Sequence, residues 1–328
     1  MIGEPAAAGS GGYNLAWRRL RRNPAAIGSA VLLFVIFFAC FPGAPLYVKY
    51  VCHHGPDQQN IQGYVREGSK KVPVVADDGT PIGPGLRRCY LLGADQNGRD
   101  LFVRLLYGGR ISLMVGISSA IVCIILAMLL GVLAGYVGGA TDGVISRGLD
   151  LIWSFPVYLL AVALGAVFAV GGINLGFIHV SSNSLAIPIV VIAVVFIPYI
   201  ARPIRGQVMS VRRMEYIDAS VASGASGWRV MAREIAPNIY SMLIVFLTLI
   251  VANNILTEAA LSYLGVGVPV LTPSWGNIIQ QGERSIVTAP QLTIAPGVAI
   301  LITVVALNVL GDALRDALDP HARLRIKG

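Results

Sequence analysis

The sequence predicts an all-α polytopic membrane protein with six transmembrane helices, a cytoplasmic helix-turn-helix coupling loop between the fourth and fifth, and an extracytoplasmic insertion between the first and second. Three observations carry this prediction. Of 328 residues, 55% are hydrophobic and only 13% charged, against about 25% charged in soluble domains. The apolar residues lie in runs, and ~20 such residues of helix cross ~30 Å of hydrocarbon. The basic residues collect between alternate runs. In a soluble chain the net charge of +8 would suggest a nucleic acid or another polyanion; on this apolar background it reads as topology, and no nucleic-acid partner is expected.

Residues 1–24 are expected to form a cytoplasmic N-terminus. There Trp17, Arg18, Arg19, Arg21 and Arg22 read as an interfacial helix, with the indole among lipid headgroups and the arginines toward phosphate. The first transmembrane helix is placed at 25–48, with Pro42 and Pro45 ending its apolar run at about residue 41. That run exceeds the ~7–15 apolar residues of a signal peptide, and no small-residue cleavage site follows it. Residues 49–110 form the insertion, rich in Gly, Pro, Asp and Gln, with β-prone pieces such as residues 72–75.

Residues 111–316 make a core of five further helices. The second runs through the uncharged stretch 111–141. Residues 151–201 are also uncharged but too long for one span, so Gly171-Gly172 and the polar run 181–184 mark a turn between a third helix near 149–170 and a fourth near 185–200. The fifth covers about 238–264 and the sixth about 290–310, leaving 317–328 as a cytoplasmic tail.

Orientation follows from Lys and Arg in the connections. Fifteen of the 25 basic residues fall in the two termini, the second-to-third connection and the fourth-to-fifth connection. Six of these, Arg202, Arg205, Arg212, Arg213, Arg229 and Arg233, share the last. The opposite face has Arg284 and the long insertion, whose charges count weakly because long loops translocate regardless of charge. Both termini are therefore expected in the cytoplasm.

The segment 202–237 reads as two short helices. Val208, Val211, Met214 and Ile217 recur at three-residue intervals through 207–222, and a second helix covers 228–235. Between them, Gly224-Ala225-Ser226-Gly227 permits a sharp reversal, with Ser226 able to cap the second helix. Pro237 suits the first turn of the fifth span. Such a pair reads as a docking element; the alternative is an inert amphipathic loop on the lipid surface.

Few residues suggest chemistry. The only lysines, Lys49, Lys70, Lys71 and Lys327, are not preceded by Gly, so no Gly-Lys-Ser/Thr phosphate loop exists. His53, His54, His179 and His321 have no metal-ligand spacing, and no nucleophile-base pair is evident. Glu258, close to Asn253 and Asn254, is the one carboxylate near a span interior. An ionisable group there is a functional candidate by default, so Asn254 and Glu258 are taken as substrate-pathway candidates, while Asn253, Asn254 and Asn308 also suit hydrogen bonds between helices. Cys52 and Cys89 lie in the insertion, where an oxidising setting permits a disulfide; two unpaired thiols are the alternative.

Three segments carry a resemblance. Asp218-Ala219-Ser220, Gly224, and then Ile235-Ala236-Pro237 resemble the EAA loop of bacterial ABC importer permeases, departing from it in Asp for Glu, Ser for the second Ala and Ala236 for Leu. The wider segment EYIDASVASGASGWRVMAREIAPN is similar to the peptide-permease form. LGADQNGRDLFVRLLYGGRISL, residues 92–113, resembles the lead into the second span of the C-type subunit of dipeptide and oligopeptide importers, with Ala94 where Thr is usual and Asn97 where Leu is usual. The N-terminal AWRRLRRNPAAIG is a third match, and 50–91 is left unmatched.

The resemblance implies a non-enzymatic transport subunit of the bacterial cytoplasmic (inner) membrane that forms half of a translocation pathway with a second homologous permease subunit. One or two ABC ATPase subunits, holding ATP and Mg that this chain does not bind, would dock on the cytoplasmic loop, and an extracytoplasmic peptide-binding protein would deliver substrate. Coupling to the ATPase would rest on Glu215, Asp218, Ala219, Ser220, Gly224, Ala225, Ser226, Trp228 and Pro237. Asp95, Gly98, Arg99, Asp100, Arg104 and Arg110 would form an outer gate or a binding-protein contact, or pair only with one another. Nickel or another small solute is the rival cargo. An ion-coupled secondary transporter is the rival class, and it would need buried Asp, Glu or His pairs.

Overall fold

The structure, a computed structural model, describes residues 17–68, 70–174, 176 and 179–318. The expected N-terminus before residue 17 and the tail from 319 to 328 lie outside the described residues. Five helices are long and apolar enough to cross a membrane, and a sharply bent helix pair makes a sixth if counted as one span.

The first long helix, α1, extends over Pro24–Cys52. Asn23 caps it, its Oδ1 accepting from the N–H groups of Ala25 and Ala26. Contrary to expectation, Pro42 and Pro45 do not end it. The turn Ala39–Gly43 widens to π geometry around Pro42, which relieves the clash of the proline ring with the carbonyl four residues back. The helix stops only at His53, whose φ of 58° is left-handed.

The second long helix, α2, spans Leu101–Val137, ten residues earlier than the uncharged stretch implies. Its first turns carry Arg104 and Arg110, so a criterion of missing charge placed its start too late. At 37 residues it is about 55 Å long. It defines two poles: an insertion end at Leu101 and a loop end at Val137.

The expected third span is two helices, α3 (Gly139–Trp153) and α4 (Val157–Gly171), meeting at 89°. The break precedes Pro156, where the residue before proline resists the helical region. Helix α3 is amphipathic and strapped to α5 (Ala186–Val211) by Arg205–Asp142 and Arg202–Asp150 ion pairs. The Arg202 guanidinium also lies 4.0 Å from the Trp153 ring centre. Helix α5 runs past the expected end at residue 200 and packs along most of α2.

The 202–237 segment is correspondingly shorter as a loop. The helix expected at 207–222 is broken at Met214, whose extended backbone (ψ 140°) precedes α6, Glu215–Ala222. The second short helix is not separate: Gly227–Tyr263 is one continuous helix, α7, in which a π-type stretch over Val230–Ile235 meets Pro237. A short helix that the hydropathy of the sequence did not suggest, α8 (Trp275–Gly282), follows α7 and tucks back between α2 and α7. Helix α9, Gln291–Leu318, packs against α1 and α7 and outruns the expected 290–310.

The insertion is smaller than 49–110, because both its ends are helical. A hairpin of β1 (Tyr64–Glu67) and β2 (Lys70–Pro73) matches the β-prone reading of 72–75, and Val74, Ile82, Tyr90 and Ala94 form a small core beneath it. Cys52 and Cys89 are bonded to each other.

Candidate functional site

At the loop end of α2, helix α6 stands away from the bundle. Ile217 is its only buried residue. Glu215, Asp218, Ala219, Gly224, Ser226, Trp228 and Pro237 are exposed, and Ser220 and Ala225 are half-buried. The helix ends with the Ala225 N–H donating to the Ser220 carbonyl at 3.1 Å while Gly224 takes φ 83°, the left-handed C-terminal cap that glycine adopts without strain. A Cβ on Gly224 would meet nothing within 4 Å in this chain. Its glycine is therefore set by backbone conformation, not by close approach within the chain. Ser226 then caps α7, its Oγ accepting from the Arg229 N–H at 3.4 Å.

The turn is fixed to the bundle from both sides. Gly227 lies against the ring of Tyr136, where a Cβ would come within 3.2 Å, and Arg212 stacks over the same ring. The Asn238 amide donates to the Tyr216 hydroxyl at 2.9 Å. The outward surface carries Met214, Tyr216, Val221 and Trp228, the last 69% exposed. Exposed apolar side chains thus stand beside small residues on this turn.

At the insertion end, the side chains of three of the six residues expected to act together, Asp95, Arg99 and Arg104, meet. Asp95 accepts from the N–H groups of Asn97 and Arg99, both at 2.9 Å, and its other oxygen pairs with Arg99 Nε at 2.6 Å. Arg104, 1% exposed, reaches the same carboxylate at 3.8 Å and Asp57 at 3.2 Å. Both guanidinium groups donate to the side-chain Oε1 of Gln281 in α8, at 2.8 and 3.0 Å.

Asp100 caps α2, accepting from the Phe102 and Val103 N–H groups, and takes the Tyr90 N–H at 2.6 Å. Burial raises its carboxyl above the ordinary range, against the opposing pull of those three N–H groups. Gly98, at φ 70°, lies so close to the Asn60 carbonyl that a Cβ would sit 2.5 Å from its carbon. Arg110 does not join: it is exposed and lies over Phe41. A cleft of about 900 Å³ opens beside the cluster, lined by Asn97, Tyr263, Leu271, Gln280, Glu283 and Arg284 among others. Asp95, Arg99 and Arg104 thus form a buried ion-pair network that clamps α8 beside the cleft.

The two substrate-pathway candidates are enclosed. Asn254 and Glu258 are both 0% exposed, Asn254 within 2.8 Å of Ser119 on α2 and Glu258 accepting from Ser262 at 2.7 Å. Asn253 turns to its own helix, donating to the Leu249 carbonyl, and Asn308 is exposed. Residues that sequence reasoning passed over are Gln281, Trp275 and the serines Ser112, Ser262 and Ser274. Ser274 followed by Trp275, Ile278 and Ile279 was the available signal, a cap before an apolar stripe at helical spacing.

Comparison with known proteins gives the family and the fold. Residues 127–324 match the family model of the binding-protein-dependent transport system inner membrane component, and residues 13–68 match the N-terminal TM domain of oligopeptide transport permease C. The glutathione transport system permease protein GsiD of Pectobacterium atrosepticum is 33% identical over 307 residues, covering 94% of this chain and 90% of the relative. The di/tripeptide transport system permease protein DppC of Pseudomonas aeruginosa is 34% identical over 307 residues, covering 94% and 91%. Among solved structures, an inward-facing MetNI methionine ABC transporter covers 66% of this chain and 96% of its own with a TM-score of 0.53 at 20% identity, a likeness of fold. The chain belongs to the binding-protein-dependent transport system inner membrane components, ABC importer permeases, and carries the N-terminal domain of the C-type subunit.

Proposed function

We propose that this chain is the C-type permease subunit of an ATP-driven importer of di- and oligopeptides, glutathione-like peptides included. It forms half of the translocation pathway with a homologous permease and couples ATPase closure to alternating access. The observation that carries the reading is the exposed α6 turn at the start of α7, with apolar side chains outward and only Ile217 buried. In this reading the loop end and both termini are cytoplasmic, and the turn seats in an ATPase subunit that holds ATP and Mg. Asp218 offers a carboxylate to a donor there, and Ala219, Ser220 and Gly224 keep the surface low. The insertion end is extracytoplasmic, and its cleft receives a peptide-loaded binding protein.

The names of the relatives support the substrate class, since glutathione and di/tripeptides are all short peptides. Motion transmits because α7 is a single helix from the turn to the insertion end, an element that can be biased at one pole and read at the other. Affinity isolation of the chain from its native membrane tests the assembly. A second permease, an ATPase and a peptide-binding protein should co-isolate, and a stable preparation without an ATPase contradicts the proposal.

A further inference from the structure

Glu258 is fully buried, one of its oxygens lacks an aligned donor, and nothing in the transport reading uses it. Its surroundings are three serines from three different parts of the chain. Ser112 of α2 accepts the Trp275 N–H at 3.1 Å. Ser274 accepts the Asn277 N–H at 3.2 Å, and Ser262 of α7 accepts the Val268 N–H at 3.0 Å. Each serine oxygen thus takes a backbone donor from the segment around α8 and keeps its own O–H to give away. Ser262 gives its proton to Glu258 Oε1 at 2.7 Å, and Ser112 and Ser274 flank the same carboxyl.

The segment that these serines hold is pressed hard onto α7. A Cβ on Gly267 would come 2.5 Å from the Ser262 nitrogen, and one on Gly276 would come 2.5 Å from the Ala259 carbonyl oxygen. Asn277 ties the loop before α8, donating to the carbonyls of Val268, Pro269 and Thr272. At the far end of α8, Gln281 meets Arg99 and Arg104. A path of hydrogen bonds therefore leads from Glu258 through Ser262 and Val268 to Asn277 of α8, whose far end meets the ion-pair cluster beside the cleft.

We propose that Glu258 is a positioning residue: its carboxyl, acting through Ser112, Ser262 and Ser274, pins α8 to the insertion end of α7, so that the helix bearing the docking turn at one pole holds the cleft wall at the other. The functional half of this statement rests on the transport reading; the structural half does not.

Hydrogen–deuterium exchange on the full chain in nanodiscs, with Glu258→Gln and Glu258→Met, tests the pin. Met fills the space without accepting a hydrogen bond, whereas Gln keeps an acceptor oxygen. Amides of residues 268–282 should exchange roughly tenfold faster in Glu258→Met, the scale expected when a buried hydrogen-bonded group loses its partner. They should stay within about twofold of wild type in Glu258→Gln, and residues 215–226 should be unchanged in both. Equal exchange in the two variants, or faster exchange in Gln than in Met, overturns the proposal. Should the Met variant fail to insert, Glu258→Leu, which likewise fills space without accepting a hydrogen bond, takes its place and must give the same local loosening. In the assembled transporter, Glu258→Met should hydrolyse ATP at the wild-type rate while importing at least fivefold less peptide, and Glu258→Gln should restore import. A wild-type assembly that imports no peptide sinks the transport reading and leaves the exchange result to judge the pin alone.

Discussion

Asp95 holds two buried guanidinium groups, so replacing it with Asn tests whether the insertion-end cluster is a true ion-pair network. The substitution is nearly isosteric, and the side-chain oxygen that accepts from the Asn97 and Arg99 N–H groups is kept. What disappears is the negative charge 2.6 Å from Arg99 and 3.8 Å from Arg104. Breaking a buried pair from one side costs about 3–5 kcal/mol, because the surviving charge stays buried without compensation. Asp57, more than half exposed on its side chain, still faces Arg104, so the lower end of that range, about 3 kcal/mol, is expected. At about 1.4 kcal/mol per factor of ten, exchange of the amides in 92–104 and 275–282 should rise roughly a hundredfold. Adding Arg99→Met should recover at least half of that loss, since the buried charge 2.6 Å from the lost carboxylate goes with its partner. Exchange within threefold of wild type in Asp95→Asn, or additive losses in the double variant, would refute the network.

Other substitutions probe the parts separately. Ile217→Ala should detach α6 by about 2–4 kcal/mol, as expected for emptying a buried isoleucine site, and limited proteolysis should then cut within 212–226 far sooner than in wild type. Gly98→Ala combines a left-handed backbone, about 1–2 kcal/mol for a residue with a Cβ, with a contact at 2.5 Å from the Asn60 carbonyl carbon. The thermal midpoint of the purified chain should fall, whereas Gly139→Ala, also at positive φ but with nothing within 4 Å, should cost only the backbone term. Mass spectrometry of a non-reducing digest should yield the peptides containing Cys52 and Cys89 joined, and free thiols at both positions would contradict the bond.

Much of this architecture was legible in the amino-acid order. Apolar runs located every long helix, and Gly224 with Ser226 marked a turn whose left-handed cap and N-cap the structure bears out. The ends of α2 and α5 were misjudged because a run without charge measures the apolar stretch of a helix, and both continue beyond it through residues whose charges are paired or at the surface. Pro42 misled because a π-type turn absorbs it, a solution the proline itself does not announce. Helix α8 escaped because eight residues with two glutamines are too short and polar to register as a span. Glu258 looked like an isolated charge in a helix because Ser112 and Ser274, which lie beside it, belong to segments that only folding brings together. Nothing in the spacing of Asp95, Arg99 and Arg104 announces that Gln281 joins them.

The central claim is that the α6 turn passes ATPase motion into the membrane helices through α7. The most direct measurement is the number of ATP molecules hydrolysed per peptide imported by the reconstituted assembly, with Gly224 replaced by Trp. The left-handed backbone at Gly224 disfavours any residue with a Cβ, and the outward position puts the indole into the docking surface. Import should fall at least tenfold while hydrolysis persists or the ATPase dissociates, so that the ratio of ATP to peptide rises or the complex is lost. A variant that remains assembled and keeps the wild-type ratio and import rate would contradict the account.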